Sequence, residues 1–427
     1  MRARHIAAAA GLLGLLCVPA HAEARDISRD TLAANDGWAS YGTGTTGGAA
    51  ADDDHVYTVT DRAGLVRALD HGSDTPKIIK IAGTIDANTA DDGTPLDCSD
   101  YATDGYGLNK YLTAYDPRTW GSAKPSGPQE EARQASAARQ AERIVLPVGS
   151  NTTLVGLGSQ AVLKGAGLQV KNADNVIVRN LDLRDAYDCF PVWQPNTGGL
   201  GDWKTAYDNI WLTGATHVWI DHVTASDQGH PDAAEPTYFA RNYLRHDGLL
   251  DITNGSDLVT VSWSRFADHD KAILIGNGDT ATGDRGKLRV TLHHNAFTSV
   301  VQRAPRVRFG QVHLYNNRYE VTDGHRYSLG VGTESAVYAE NNAFHAPGHI
   351  EVADLVKSWN GTALHQSGTL FDGYPVDLLA IHNAYNSGSE RDLTADAGWT
   401  PTLHTTVDSA AVADRAVARG AGAGRLS

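Results

Sequence analysis

The 427-residue sequence predicts an all-β fold: a single-stranded right-handed parallel β-helix with inserted loops and a short N-terminal capping helix. Three observations carry that expectation. One short pattern returns six times between about residues 150 and 345, with the same residue type at the same place in each copy. The start-to-start spacing falls as low as 22 residues, enough for three brief strands and three turns. Glycine is abundant, at 44 residues against a single methionine, as turns and tight packing need and long helices do not.

The six copies read NVIVRNLDL from Asn175, HVWIDHVTA from His217, LVTVSWSRF from Leu258, RVTLHHNAF from Arg289, QVHLYNNRY from Gln311 and AVYAENNAF from Ala336. The second place is valine throughout: Val176, Val218, Val259, Val290, Val312 and Val337. The fourth place is always apolar, the alternation of a half-buried strand. Places six and seven collect Asn and His. Spacings of 42, 41, 31, 22 and 25 residues describe one coil, its longer turns carrying inserted loops. Stacked coils set like residues over like, valine inside and asparagine at a turn, where side-chain amides donate and accept along the ladder. A β-sandwich is the competing all-β arrangement, but it does not require the same residue at the same place in each unit.

Arg2 and Arg4 precede an apolar run from Ile6 to Val18, and Ala20-His21-Ala22 supplies a cleavage site. Residues 1–22 thus read as a secretory signal peptide, and the run is too short to span a bilayer. The expected product is secreted: one domain over 23–427, with its β-helix core at about 55–385. Removal of Arg2 and Arg4 takes the formal charge from −14 to −16. Two cysteines remain, Cys98 and Cys189, which in an exported chain pair as one structural disulfide. Thr60 heads TDRAGLVRALDHG, a helix with Leu65, Val66 and Leu69 on one face, Thr60 as N-cap and Gly72 as stop, placed to cap the solenoid. Gln129 to Arg143 is charged, Ala-rich and without a sizeable apolar face, which predicts a surface helix in a loop. The Ala/Gly/Arg-rich tail from about 405 to 427 is expected to pack loosely.

With 50 acidic against 36 basic residues, nucleic acid is excluded as a natural partner, since phosphate binding shows as positive charge. No membrane partner and a monomeric state are expected. Asp208 lies in the loop before VWIDH, and Asp247 and Asp251 lie in HDGLLDITNG. At like places on adjacent coils these carboxylates would converge on one side of the solenoid, and such hard oxygens suit Ca²⁺. Aspartates near turns also serve simply as turn formers. Downstream come Lys271 in DHDKAILIG, then Arg303, Arg306 and Arg308 in VQRAPRVRFG. Alternation puts Arg306 and Arg308 on one side. Such a strip is either a solvated or ion-paired face or, beside a carboxylate pocket, a seat for an anionic sugar chain. His293 and His294 lack a third ligand at zinc spacing and read as structural. Trp193 and Trp203 either stack on sugars or pack their loop.

VWIDH, YDN at Tyr207–Asn209, HDGLLDITNGSD, DHDKAILIG, LHHNAF, QRAPRVRFGQVHLYNN and DAYDCFPVWQP together closely resemble the pectate lyases of polysaccharide lyase family 1, over about residues 55–385. The resemblance implies calcium ligation by Asp208, Asp247 and Asp251, a Brønsted base at Arg303, and uronate carboxylates bound by Lys271 and Arg308. Ala206 stands where some relatives carry a further acidic ligand. The implied reaction is β-elimination across C4–C5 of polygalacturonate (pectate), and the three acids favour pectate over its methyl ester. Two rivals remain open. A polygalacturonase-type hydrolase needs two flanking carboxylates, and Asp268 with Asp270 are two apart on one strand. A non-catalytic polysaccharide-binding solenoid leaves the Asp, Lys and Arg constellation unexplained.

Overall fold

In the computed structural model, which describes residues 26–386 and 391–426, the six valines form one ladder. Val176 pairs with Val218, and the register continues through Val259, Val290 and Val312 to Val337, all in parallel. Every one is buried. They belong to a ten-stranded parallel sheet. An eight-stranded parallel sheet and a second ten-stranded sheet, parallel except for its last strand pair, complete the coils. One continuous apolar core runs between them. This is the expected right-handed parallel β-helix. Residues 1–22, read as a signal peptide, lie outside the described residues.

The turn chemistry explains the Asn and His of the repeat. The sixth place is Asn180, His222, Trp263, His294, Asn316 and Asn341, and all six have φ between 49° and 55°. Left-handed backbone is several-fold enriched in Asn and His among residues that carry a Cβ. His222, Trp263 and His294 stack at 6.0 and 4.5 Å, and burial pushes the His294 imidazole down to about 3. These histidines are structural. The seventh place carries the amide ladder: Asn295 Nδ2 donates to Asn317 Oδ1, and Asn317 Nδ2 to Asn342 Oδ1, both at 3.1 Å. Inside, Phe266, Phe297, Tyr319 and Phe344 stack at 5.5, 4.8 and 4.3 Å.

Four expectations are corrected. The valine-bearing sheet is buried on both faces, because an N-terminal strap crosses its outside. There Ala39 N donates to Thr260 Oγ1 and Trp38 N to Thr291 Oγ1, while Leu32 and Ala39 pack on Ile177 and Trp219. The capping helix is Arg62–Leu69; its N-cap is Asp61, whose carboxylate accepts from Gly64 N at 2.7 Å, and it stops at left-handed Asp70. Leu65, Ala68 and Leu69 close the N-terminal end of the core. The helix Pro128–Ile144 is not a free surface helix, for it buries Ala132, Ser136, Gln140 and Ile144 at four-residue spacing. Its polar members are satisfied, Gln140 bonding Tyr187 O and Cys189 N. The C-terminal tail is not loose either. Helix Ala410–Gly420 buries Ala410, Ala413 and Val417, Asp414 pairs with Arg318 and His345, and Gly424 N donates to Asn180 Oδ1.

Cys98 and Cys189 are joined across a sequence separation of 91 residues. Closing a loop of that length removes entropy from the unfolded chain. Replacing both cysteines by serine is therefore expected to cost roughly 2–4 kcal/mol of unfolding free energy. Denaturant titration of the double variant against the oxidised protein measures it, and an unchanged midpoint refutes the expectation. No helix of the described residues is long and apolar enough to cross a membrane.

Candidate active site

The eight-stranded sheet carries the chemistry on its outer side. Its strands Gly167–Lys171, Ile210–Thr213, Leu250–Thr253, Ile273–Ile275, Arg306–Val307, Leu329–Val331 and Val356–Ser358 hold one column in register: Gln169, Trp211, Asp251, Leu274, Arg306, Gly330 and Lys357. Two rungs separate Asp251 from Arg306. Asp208 is two residues ahead of Ile210–Thr213. Asp247 N bonds Tyr207 O and Asn209 N bonds Gly248 O, so the backbone brings Asp208 beside Asp247 and Gly248.

Asp208 and Asp251 converge over Gly248. A Cβ on that glycine would lie 2.7 Å from Asp208 Oδ1 and 3.1 Å from Asp251 Oδ1. Asp208 Oδ1 is buried with no hydrogen-bond partner. Burial, then the charges of Asp251 and Asp247, raise the Asp208 carboxyl well above its usual range. Burial, then Asp247, push Asp251 up to about 7 against the pull of Arg303 and Lys271. Two desolvated carboxylates facing one cradle are unfavourable unless a cation joins them. The third predicted ligand is turned elsewhere: Asp247 Oδ1 accepts from Lys271 Nζ at 3.0 Å. Among the described residues, no three His, Cys, Asp or Glu side chains close on one point. The donor set and the open cradle nevertheless fit a hard divalent ion such as calcium. Gly248→Ala, which fills the cradle, is expected to weaken calcium binding about 10- to 100-fold. Calorimetric titration checks it, and unchanged affinity would dismiss the cradle.

Lys271 ends the strand Arg265–Lys271. Burial opposes its charge, but the Asp247 carboxylate overrides this and raises its ammonium above the usual range. Arg303 follows the strand Ala296–Gln302 in left-handed backbone, φ 61°, and its carbonyl accepts from Ile273 N at 2.7 Å. Its Nε is buried without a partner. Its charge acts on both Asp251 and Lys271, so the structure gathers Asp208, Asp247, Asp251, Lys271 and Arg303 in one place. Arg308 stands beside Arg306, ion-paired through Nε to Asp279 and donating from Nη1 to Gly276 O. The Asp268 and Asp270 nominated for a hydrolase do not face each other across a cleft. Asp270 takes Gln302, while Asp268 lines a hollow with Arg265 and Gly422.

A family model described as pectate lyase matches residues 3–107 and 121–425. A pectate lyase of Bacillus subtilis (strain 168) is 46% identical over 426 residues, 98% of this chain and 99% of that one. The chain belongs to the pectate lyase family. It is a polysaccharide lyase. A solved pectate lyase bound to hexasaccharide superposes with TM-score 0.89 at 45% identity, over 94% of this chain and 100% of that one. Another, solved to explain substrate specificity and an anti β-elimination mechanism of pectate lyase, gives TM-score 0.89 at 46% identity with the same coverage.

In this pectate lyase a buried network behind the site escaped the sequence reading. His269, two residues before Lys271 on the same strand, reaches Asp247 O through Nε2 at 3.1 Å, while its Nδ1 meets Asp227 at 2.5 Å. One strand thus grips Asp247 twice, by carbonyl and by carboxylate. His246 is held between Asp185 and Asp232, and burial, overridden by these carboxylates, leaves it raised to about 10. The signal was present as His beside Asp in HDG and DHD, but the partners come from inserted loops. Trp193 and Trp203, by contrast, pair across the ribbon Val192–Gln194 and Asp202–Lys204 and bury themselves against Phe239 and Tyr243. They pack the loop.

Proposed function

We propose that this pectate lyase is secreted and cleaves (1→4)-α-D-galacturonan by calcium-assisted β-elimination, releasing 4,5-unsaturated oligogalacturonates. The observation that carries the reading is the pair Asp208 and Asp251 over Gly248, desolvated, mutually repelling and two rungs from Arg306 in the cationic strip. Asp208, Asp251 and Asp247 would hold the ion. Bound there, calcium supplies Lewis acidity and positive charge to a substrate carboxylate. Lys271 and Arg308 already hold the carboxylates of Asp247 and Asp279, and a uronate carboxylate is the same chemical group. Held by these cations, the C6 carboxylate tolerates the further charge of an enolate-like state. Arg303 takes the C5 proton, the C5–H electron pair becomes the C4=C5 double bond, the C4–O bond breaks, and the leaving oxygen is protonated by solvent. The likeness to a pectate lyase bound to hexasaccharide, and to one described with anti β-elimination, supports this assignment.

Incubation with polygalacturonate and CaCl2, against EDTA, tests it by ultraviolet absorbance of the unsaturated product. A calcium-dependent rise is expected. Reducing ends without that absorbance mean hydrolysis, and no product on pectate or esterified pectin means binding alone. Export is supported by the tripartite pattern of residues 1–22. A mature N-terminus at Glu23 in the medium, and sedimentation as a monomer, are the corresponding expectations.

A further inference from the structure

The outer column does not stop at Arg306. It runs on through Gly330 to Lys357, four rungs beyond Asp251 and about 19 Å along the helix axis at ~4.8 Å per rung. At that end lies a cavity of about 740 Å³, lined by Asp279, Lys357, Trp359, Asn360 and Arg391 among others. The half-buried Trp359 indole carries the Arg306 guanidinium over its ring at 4.3 Å and the Lys357 ammonium at 5.5 Å. Tyr327 meets the same indole edge-on at 4.9 Å, fixing its orientation. Arg306 Nε is buried with no hydrogen-bond partner, and burial, then the neighbouring charge of Arg308, disfavours its cation. Gly330 keeps the column open between the two cations, since a Cβ there would come within 3.0 Å of Arg306 Cγ and of the Tyr327 ring. Asp279, the ion-pair partner of Arg308, lines the cavity.

An aromatic platform beside Lys357, which has no ion pair among the described residues, in continuity with a groove for an acidic polymer, has one natural occupant. We propose that this cavity is an accessory uronate subsite: Trp359 takes the C–H face of a galacturonate unit, and Lys357 takes its carboxylate. The subsite rests on the polyuronate reading given above. It serves only chains long enough to reach it, so it acts on the affinity for polymer and not on the chemical step.

Trp359→Ala and Lys357→Ala, each against wild type, are assayed on polygalacturonate and on trigalacturonate. The expected result is a roughly tenfold rise in KM on the polymer, the size of one lost platform or charge contact, with kcat on the polymer and both constants on the trimer unchanged. Trp359→Phe, which keeps a platform, recovers most of the affinity. Equal losses on both lengths would mean that Trp359 merely props Arg306, and no change on either would empty the cavity of function; both overturn the inference. Calorimetry with octagalacturonate in EDTA separates it from the parent reading. Wild type is expected to bind more tightly than Trp359→Ala there, even if the enzyme were found not to cleave polyuronate. Equal binding overturns the subsite while leaving a demonstrated lyase activity untouched.

Discussion

Arg303→Lys is expected to lower kcat on polygalacturonate by about 10³-fold, the middle of the range for loss of a positioned proton acceptor. The fold should survive. The contact that anchors this residue is its carbonyl, which accepts from Ile273 N and is kept by any side chain. What is lost is a planar group with Nε buried and unpartnered, set where its charge is felt by Asp251 and Lys271. Guanidinium holds its proton tightly in water, so a basic role needs the cations around the site to favour the neutral form, and the rate should climb toward alkaline pH. The lysine variant separates the two roles open to this residue. If Arg303 takes the C5 proton, the alkaline limb of the variant moves to lower pH, because an ammonium gives up its proton more readily than a guanidinium. If Arg303 only stabilises the developing charge, the limb keeps its place and the amplitude alone falls. A loss smaller than tenfold at every pH would remove Arg303 from the chemistry altogether.

The scaffold was legible because a coil repeats its own solution. Val176 to Val337 could be aligned by eye, and the register that follows is the one the strands adopt. Asn and His at the sixth place announced a turn, and the left-handed backbone gives the reason. The helix Pro128–Ile144 was misread because its buried face is made of Ala, Ser and Gln, which carry no hydrophobic stripe. The tail was misread for a similar cause, since Ala410, Ala413 and Val417 need little area to dock on a flat sheet side. Within the site, the spacing of Asp208, Asp247 and Asp251 on adjacent coils and the Lys/Arg strip after them pointed to the place, and the resemblance to pectate lyases supplied the individual roles. Composition could not say that Asp247 and Arg308 would be held by Lys271 and Asp279, nor that His269 would take hold of Asp247 from behind. Those are choices of side-chain partner, settled by which loops meet, and a repeat says nothing about its insertions.

Asp251→Asn is expected to make the metal-free enzyme more stable, and in the presence of calcium less active than wild type by about 10³-fold. The carboxyl is raised in the folded state to about 7, from an ordinary value near 4, chiefly by burial and then by Asp247. Between those two values the folded state holds a proton that the unfolded chain has released, so the stability of the metal-free protein falls as pH rises from about 4 to 7. Above pH 7 the full penalty is present, on the order of a few kcal/mol, since burial of an unpaired charge is what raised the group. Asparagine keeps the shape and cannot ionise. In EDTA its melting temperature at pH 8 should therefore exceed that of wild type, and the decline between pH 4 and 7 should flatten. Calcium should reverse the order, because in the proposed function the ion binds the ionised form and stabilises only a protein that can supply it. Thermal melts of both proteins at pH 5 and pH 8, with CaCl2 and with EDTA, decide the matter. If wild type and variant melt together in EDTA at pH 8, the carboxyl is not strained as the geometry over Gly248 requires. If calcium raises both melting temperatures equally, the ion is held by something other than Asp208 and Asp251. The opposed signs follow from one arrangement: a pair of carboxylates whose cost to the empty fold is what makes the cradle ready for a cation.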